Sequence, residues 1–108
     1  MAYKDIPKSV QQFMDEITAK CGEEHADWAT NFSAAFANTL LTTVKRHEDG
    51  TTFLLTGDIP AMWLRDSTAQ VRPYLVIAKE DEDLASMISG LVKKQFEYIN
   101  IDPYANAF

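Results

Sequence analysis

An all-α fold interrupted by one short β-hairpin near residues 44–55 is what this 108-residue sequence predicts, on three observations. Apolar residues recur at helical spacing in four separate stretches. A single Asp-Gly pair separates two short β-branched runs, and the helical stretches are joined in pairs by loops, the pattern of an α/α arrangement.

The first helix follows Pro7, a residue suited to an opening helical turn. Val10, Phe13, Met14, Ile17 and Cys21 share one face, and Gly22 is the expected stop. The second runs from about His25 to Thr43 on the stripe Trp28, Phe32, Ala35, Phe36, Thr39 and Leu40. Small residues at 34, 35 and 37 permit close packing, so this is expected to be a core helix. Val44–His47 and Thr51–Leu55 flank Glu48-Asp49-Gly50, where Asp-Gly favours the positive φ of a tight turn, and this predicts the hairpin.

Residues Thr56–Asp66 hold Gly57 and Pro60 and show no clear period, which predicts an irregular connection of the kind that often carries binding groups. Ser67 is the expected cap of a third helix reaching roughly Ala78 and disturbed by Pro73, which has no N–H to donate. The fourth helix opens at Asp81 with Glu82 and Asp83 at its positive end. Its stripe is Leu84, Met87, Ile88, Leu91, Phe96 and Ile99. The run Lys79–Asp83 reads most simply as a solvated helix start.

Composition narrows the function. With 46% hydrophobic and 24% charged residues the chain should form one packed unit. The net charge of −6 opposes nucleic-acid binding, which relies on clustered Lys and Arg to neutralise phosphates. No segment approaches the roughly 20 apolar residues of a membrane span, and the opening MAYKDIPKSV lacks a signal-peptide core, so no membrane association and a cytoplasmic location are expected. Cys21 is the only cysteine, and neither His25 nor His47 has a second ligand at metal spacing. No bound metal and no cofactor are expected.

The stretch TGDIPAMWLRDS places Asp58, Trp63, Arg65 and Asp66 within nine positions. That grouping suits a sugar: Arg offers a planar fork of donors, Asp accepts from hydroxyl protons, and an indole can cover the apolar face of a ring. A plainer reading stands beside it, in which Asp66 caps the third helix, Arg65 pairs with Asp58, and Met62 and Trp63 belong to the core.

TGDIPAMWLRDSTAQVRPYL together with DPYANAF resembles the N-terminal signatures of glycoside hydrolase family 125, the exo-α-1,6-mannosidases. The resemblance implies an (α/α)6 barrel, inverting hydrolysis without a metal, and a pocket for one terminal mannose of a mannose-containing glycan. Trp63-Leu64-Arg65-Asp66 is also similar to the sugar-binding Trp-x-Arg-Asp of glucoamylase-like barrels. By that likeness Arg65 and Asp66 hold mannose hydroxyls, with Asp58, Trp63, Tyr104 and Asn106 as further pocket candidates. Tyr104 is equally readable as a packing residue. Arg72 reads as a surface or ion-pair residue.

Family members are several times longer than this chain. Residues 1–108 are therefore expected to be an incomplete N-terminal segment of a single barrel domain, inactive until the remainder of the barrel closes the site. An inverting glycosidase needs an acid and a base about 6.5–9.5 Å apart. In the family both come from later segments, so neither role is given to Asp58, Asp66 or Asp102. The alternatives are a stand-alone helical interaction module, whose apolar stripes bind a partner helix, and the product of a decayed glycosidase gene.

Overall fold

The computed structural model describes residues 3–57 and 59–108. Among these described residues five α-helices and one two-stranded sheet follow in the order α1 (Lys8–Cys21), α2 (Ala26–Asn38), β1 (Val44–Arg46), β2 (Thr52–Leu54), α3 (Leu64–Val71), α4 (Leu75–Ala78) and α5 (Glu82–Ile101).

Helix α1 begins directly after Pro7 and ends where Gly22 takes a positive φ of 65°, a conformation that an L side chain resists. Helix α2 widens into a π-helical turn over Thr39–Thr43. The sequence offers a cause: Thr42 and Thr43 donate their hydroxyls to the carbonyls of Asn38 (2.8 Å) and Thr39 (2.5 Å). Such back-bonding competes with the backbone ladder and bends helices.

The strands pair antiparallel with Val44 opposite Leu54. Gly50 in the connecting turn has φ 88°, and the Asp49 carboxylate accepts from the Thr51 amide and hydroxyl. The Thr51 hydroxyl and then its amide hold the Asp49 carboxyl below its ordinary value.

The core draws on every element. Val10, Met14, Phe36, Leu40, Val44, Leu54, Met62, Val71, Tyr74, Leu84, Met87 and Leu91 are buried together. Phe13, Phe32, Phe36 and Tyr74 form a chain of ring contacts with centroids 4.4–6.2 Å apart, joining α1, α2 and the turn before α4. The Tyr74 hydroxyl donates to the Phe36 carbonyl, and burial pushes its pKa up to about 12.

The hairpin lies on α5 at Gly90. A Cβ there would sit 2.6 Å from both the Gly50 carbonyl oxygen and the Thr52 hydroxyl, which itself donates to the Met87 carbonyl at 2.8 Å.

Several expectations are corrected. The third helical stretch starts at Leu64, three residues before Ser67, and Ser67 is a fully buried helix residue rather than the cap. Pro73 does break the stretch: Arg72–Tyr74 form a 3-10 turn and α4 is only one turn long.

The run Lys79–Asp83 is more than a solvated start. Asp81 caps α5 by accepting from the Leu84 amide at 3.0 Å and also accepts from the Ser9 hydroxyl at 2.5 Å, while Asp83 pairs with Arg46 at 2.5 Å. The Ser9 hydroxyl and then the Leu84 amide lower the Asp81 pKa.

Two stripes are not covered throughout. Trp28 is 60% exposed, stacked on His25, and Phe96 and Ile99 on α5 face solvent. No helix among the described residues is long and apolar enough to cross a membrane.

Candidate functional site

The connection from β2 to α3 is closed by one hydroxyl. Thr56, 1% exposed, donates its side chain to the Ala61 carbonyl (3.2 Å) and accepts from the Trp63 amide (2.9 Å), while its own amide binds Ala61 again at 3.0 Å. These bonds turn the chain back so that Met62 is buried completely, its sulfur 3.5 Å from the Leu54 amide, and Trp63 leaves in extended conformation. The irregular segment ends there, earlier than expected. Arg65 and Asp66 stand on the first turn of α3, closed by the Ser67 amide donating to the Trp63 carbonyl at 2.9 Å.

The plainer reading of these residues is therefore right for Met62 and wrong for Asp66. The helix has Trp63 at its cap position with no side-chain cap bond, and Asp66 lies within the first turn, where negative charge suits the helix dipole. The Arg65 side chain is 97% exposed and approaches Asp66 at 3.8 Å. A planar donor fork and an adjacent acceptor thus project together from one turn.

The second motif reaches the same place. After α5 the Asp102 carboxylate accepts from the Tyr104 amide (3.0 Å), and the resulting turn leaves Tyr104 92% exposed. The chain then runs back antiparallel to the first motif: Trp63 and Ala107 form an isolated β-bridge, and the Phe108 amide donates to the Met62 carbonyl at 3.0 Å. Phe108 stacks on Tyr98 of α5, with centroids 4.3 Å apart and planes 5° from parallel. Trp63, Arg65 and Asp66 are thereby brought to the same end of the molecule as Tyr104 and the exposed Asn106. Asp58, the remaining pocket candidate, lies outside the described residues.

Gln95 is a site-supporting residue that sequence reasoning missed. From α5 its amide nitrogen reaches the Leu64 carbonyl (3.1 Å), the Ser67 hydroxyl (3.0 Å) and the Thr68 hydroxyl (2.7 Å). The signal was a polar residue between Leu91 and Tyr98 on the inward stripe of α5. Beside it an open groove of about 380 Å³, lined by Val71, Leu75, Ile88, Leu91 and Val92 among others, runs between α3 and α5. Arg72 is exposed on its rim.

This arrangement belongs to a recognisable class. The family model for metal-independent α-mannosidases, glycoside hydrolase family 125, matches residues 25–108, and the chain is a member of that family. It superposes over its whole length on a Streptococcus pneumoniae metal-independent α-mannosidase solved in a non-productive complex with α-1,6-mannobiose, with a TM-score of 0.91 and 48% identity. It is also 41% identical over 105 residues to the meiotically up-regulated gene 157 protein of Schizosaccharomyces pombe, a match covering 94% of this chain. The chain spans 25% of the bacterial enzyme and 20% of the yeast protein. The fold is mostly helical with one small sheet, matching a segment of an α/α-barrel enzyme of the family.

Proposed function

We propose that residues 1–108 are an incomplete N-terminal segment of a single (α/α)6 domain, and that they furnish one wall of the terminal-mannose pocket in an exo-α-1,6-mannosidase acting with inversion. The observation that carries this reading is the antiparallel contact between Trp63 and Ala107, which unites the two family motifs at one end of the fold.

Arg65 donates to adjacent sugar hydroxyls and Asp66 accepts from one. Trp63 covers the apolar ring face, Tyr104 and Asn106 line the rim, and Asp58 is a further sugar-ligand candidate from its place in the motif. Each charged contact gives a hydrogen bond stronger than a neutral one, and the planar guanidinium selects the spacing of neighbouring hydroxyls. The acid that protonates the leaving oxygen and the base that activates water come from parts of the barrel that this chain does not span. Alone, the chain has no mannosidase activity.

Kinetics of a full-length family member carrying these residues test the proposal. Arg65→Ala and Asp66→Ala should each lower kcat/KM by at least about tenfold, since a charge-assisted hydrogen bond is worth roughly 1.5–3 kcal/mol. The first product released from an α-1,6-mannoside, followed by NMR with EDTA present, should be β-mannose. Near-wild-type kinetics for both folded variants would remove these residues from the pocket. Initial α-mannose, or activity lost to the chelator and restored by metal, would overturn the mechanism.

A further inference from the structure

The first turn of α3 has no side-chain cap, and α3 itself runs for only eight residues before Pro73 ends it. Something else must fix its rotation about its own axis. Leu64, Ser67 and Thr68 stand at i, i+3 and i+4, one face of the helix. The Ser67 and Thr68 hydroxyls both donate to the Leu64 carbonyl, at 2.9 and 3.1 Å. Gln95 meets all three groups with a single amide nitrogen, at 2.7–3.1 Å. Each hydroxyl thus spends its proton on Leu64 and turns a lone pair to Gln95, whose two N–H protons are shared among the three acceptors, a pattern that places a donor at position 95.

Arg65 and Asp66 fall between these anchor residues and project from the remaining face of the same turn. One helical turn beyond Gln95 on α5, Tyr98 holds Phe108 by stacking. The α5 surface therefore sets the register of both motif segments, and Gln95 is the polar part of that surface.

We propose that Gln95 is a positioning residue for mannose recognition, holding the first turn of α3 so that Arg65 and Asp66 point at the sugar. This rests on the pocket reading given above. Gln95 acts through those two side chains, and it does so by donating, because the groups it meets are a carbonyl and two hydroxyls whose protons are already committed. A misplacement of about 1 Å is enough to lower the rate of a positioned reaction roughly 100-fold, and rotation of a short helix moves the end of an arginine by that much.

The test uses a full-length family member with these residues and α-1,6-mannobiose. Gln95→Leu, which keeps bulk and removes the donor, should lower kcat/KM about tenfold to 100-fold, with the protein still folded by circular dichroism. In an Arg65→Ala/Asp66→Ala background the same substitution should add little, because there is no longer anything for it to aim. Gln95→Glu is the second variant: ionised it cannot donate, and protonated it can. Its kcat/KM relative to wild type should rise as pH falls toward the ordinary Glu pKa of about 4.3.

A folded Gln95→Leu enzyme with wild-type kcat/KM overturns the proposal, as does an undiminished further loss in the double-variant background or a pH-independent ratio for Gln95→Glu. If Arg65→Ala and Asp66→Ala themselves leave kinetics unchanged, the pocket reading fails and takes this inference with it. If they impair activity while Gln95→Leu does not, only the positioning role is lost.

Discussion

Replacing Gly90 by alanine tests how tightly the hairpin is seated on α5. In a solvent-facing helix the change would stabilise by roughly 0.8–1.0 kcal/mol through propensity alone. Here the new methyl carbon would lie 2.6 Å from the Gly50 carbonyl oxygen, a backbone atom, and 2.6 Å from the Thr52 hydroxyl; both must withdraw to about 3.4 Å for ordinary contact. Such overpacking costs about 1–3 kcal/mol. Withdrawal also stretches the 2.8 Å bond from Thr52 to the Met87 carbonyl, a further loss of about 1 kcal/mol. The unfavourable contributions win, and a net destabilisation of about 1–3 kcal/mol is expected, lowering Tm by roughly 4–24 °C for a unit of this size. Thermal unfolding by circular dichroism reads the effect directly, in this chain or in a longer protein that contains it. Adding Thr52→Ala relieves only one of the two contacts, so it should not return Tm to the level of Thr52→Ala alone. A Gly90→Ala protein with unchanged or raised Tm would show that the hairpin moves away from the helix freely, and that the close approach contributes nothing to specificity.

Three further outcomes follow from the same structure. Tyr74→Phe removes the donor to the buried Phe36 carbonyl and should destabilise by about 1–2 kcal/mol in chemical denaturation, whereas an unchanged midpoint would mean that water replaces the hydroxyl. Asp81→Ala removes both the cap of α5 and the acceptor of Ser9, and should lower stability at pH 7 by roughly 0.5–2 kcal/mol. Because the Asp81 pKa is lowered from 3.8 in the folded protein, its contribution is present above that value and lost as pH falls through the folded pKa. The gap between wild type and Asp81→Ala should therefore close below about pH 4; a gap constant down to pH 2 would contradict the assignment. The isolated chain, with Leu75, Val76, Val92, Phe96 and Ile99 exposed, should bind a hydrophobic dye and self-associate in size-exclusion chromatography, since exposed apolar patches beyond several hundred Å² are unusual in soluble monomers. A monodisperse monomer that binds little dye would show these side chains to be tolerated in water.

Local signals in the sequence were legible and tertiary ones were not. Pro7 and Gly22 bound α1 because ring geometry and positive φ act within a residue or two, and Asp81 caps α5 for the same reason. Asp49-Gly50 placed the hairpin turn correctly. Ser67 misled because a hydroxyl near a helix start is only one way to open a helix. Here Trp63 is held extended by Thr56 and paired with Ala107, and α3 begins earlier without a side-chain cap. No periodicity announces a bridge between residues so far apart, nor that a glutamine on an apolar stripe meets a carbonyl and two hydroxyls of another helix. The motif residues were readable as sugar ligands by chemical type. Their common location was not, because it depends on the chain returning after α5. Likewise the stripe of α5 was read correctly from Leu84 to Leu91, but beyond it periodicity chose Phe96 and Ile99, which face solvent, in place of Tyr98, which packs on the core.

The bridge between Trp63 and Ala107 also makes the two motifs interdependent over evolutionary time and in the laboratory. A truncation that removed only the last two residues would retain every letter of TGDIPAMWLRDS, yet it would delete the strand partner of Trp63, the amide that binds the Met62 carbonyl and the ring that rests on Tyr98. Damage inflicted on one motif is felt in the other. The bonds joining residues 62 and 63 to residues 107 and 108 are made by main-chain atoms and tolerate a change of side chain, whereas the ring contact ties Phe108 to Tyr98, so substitutions at those two positions should come as a matched pair.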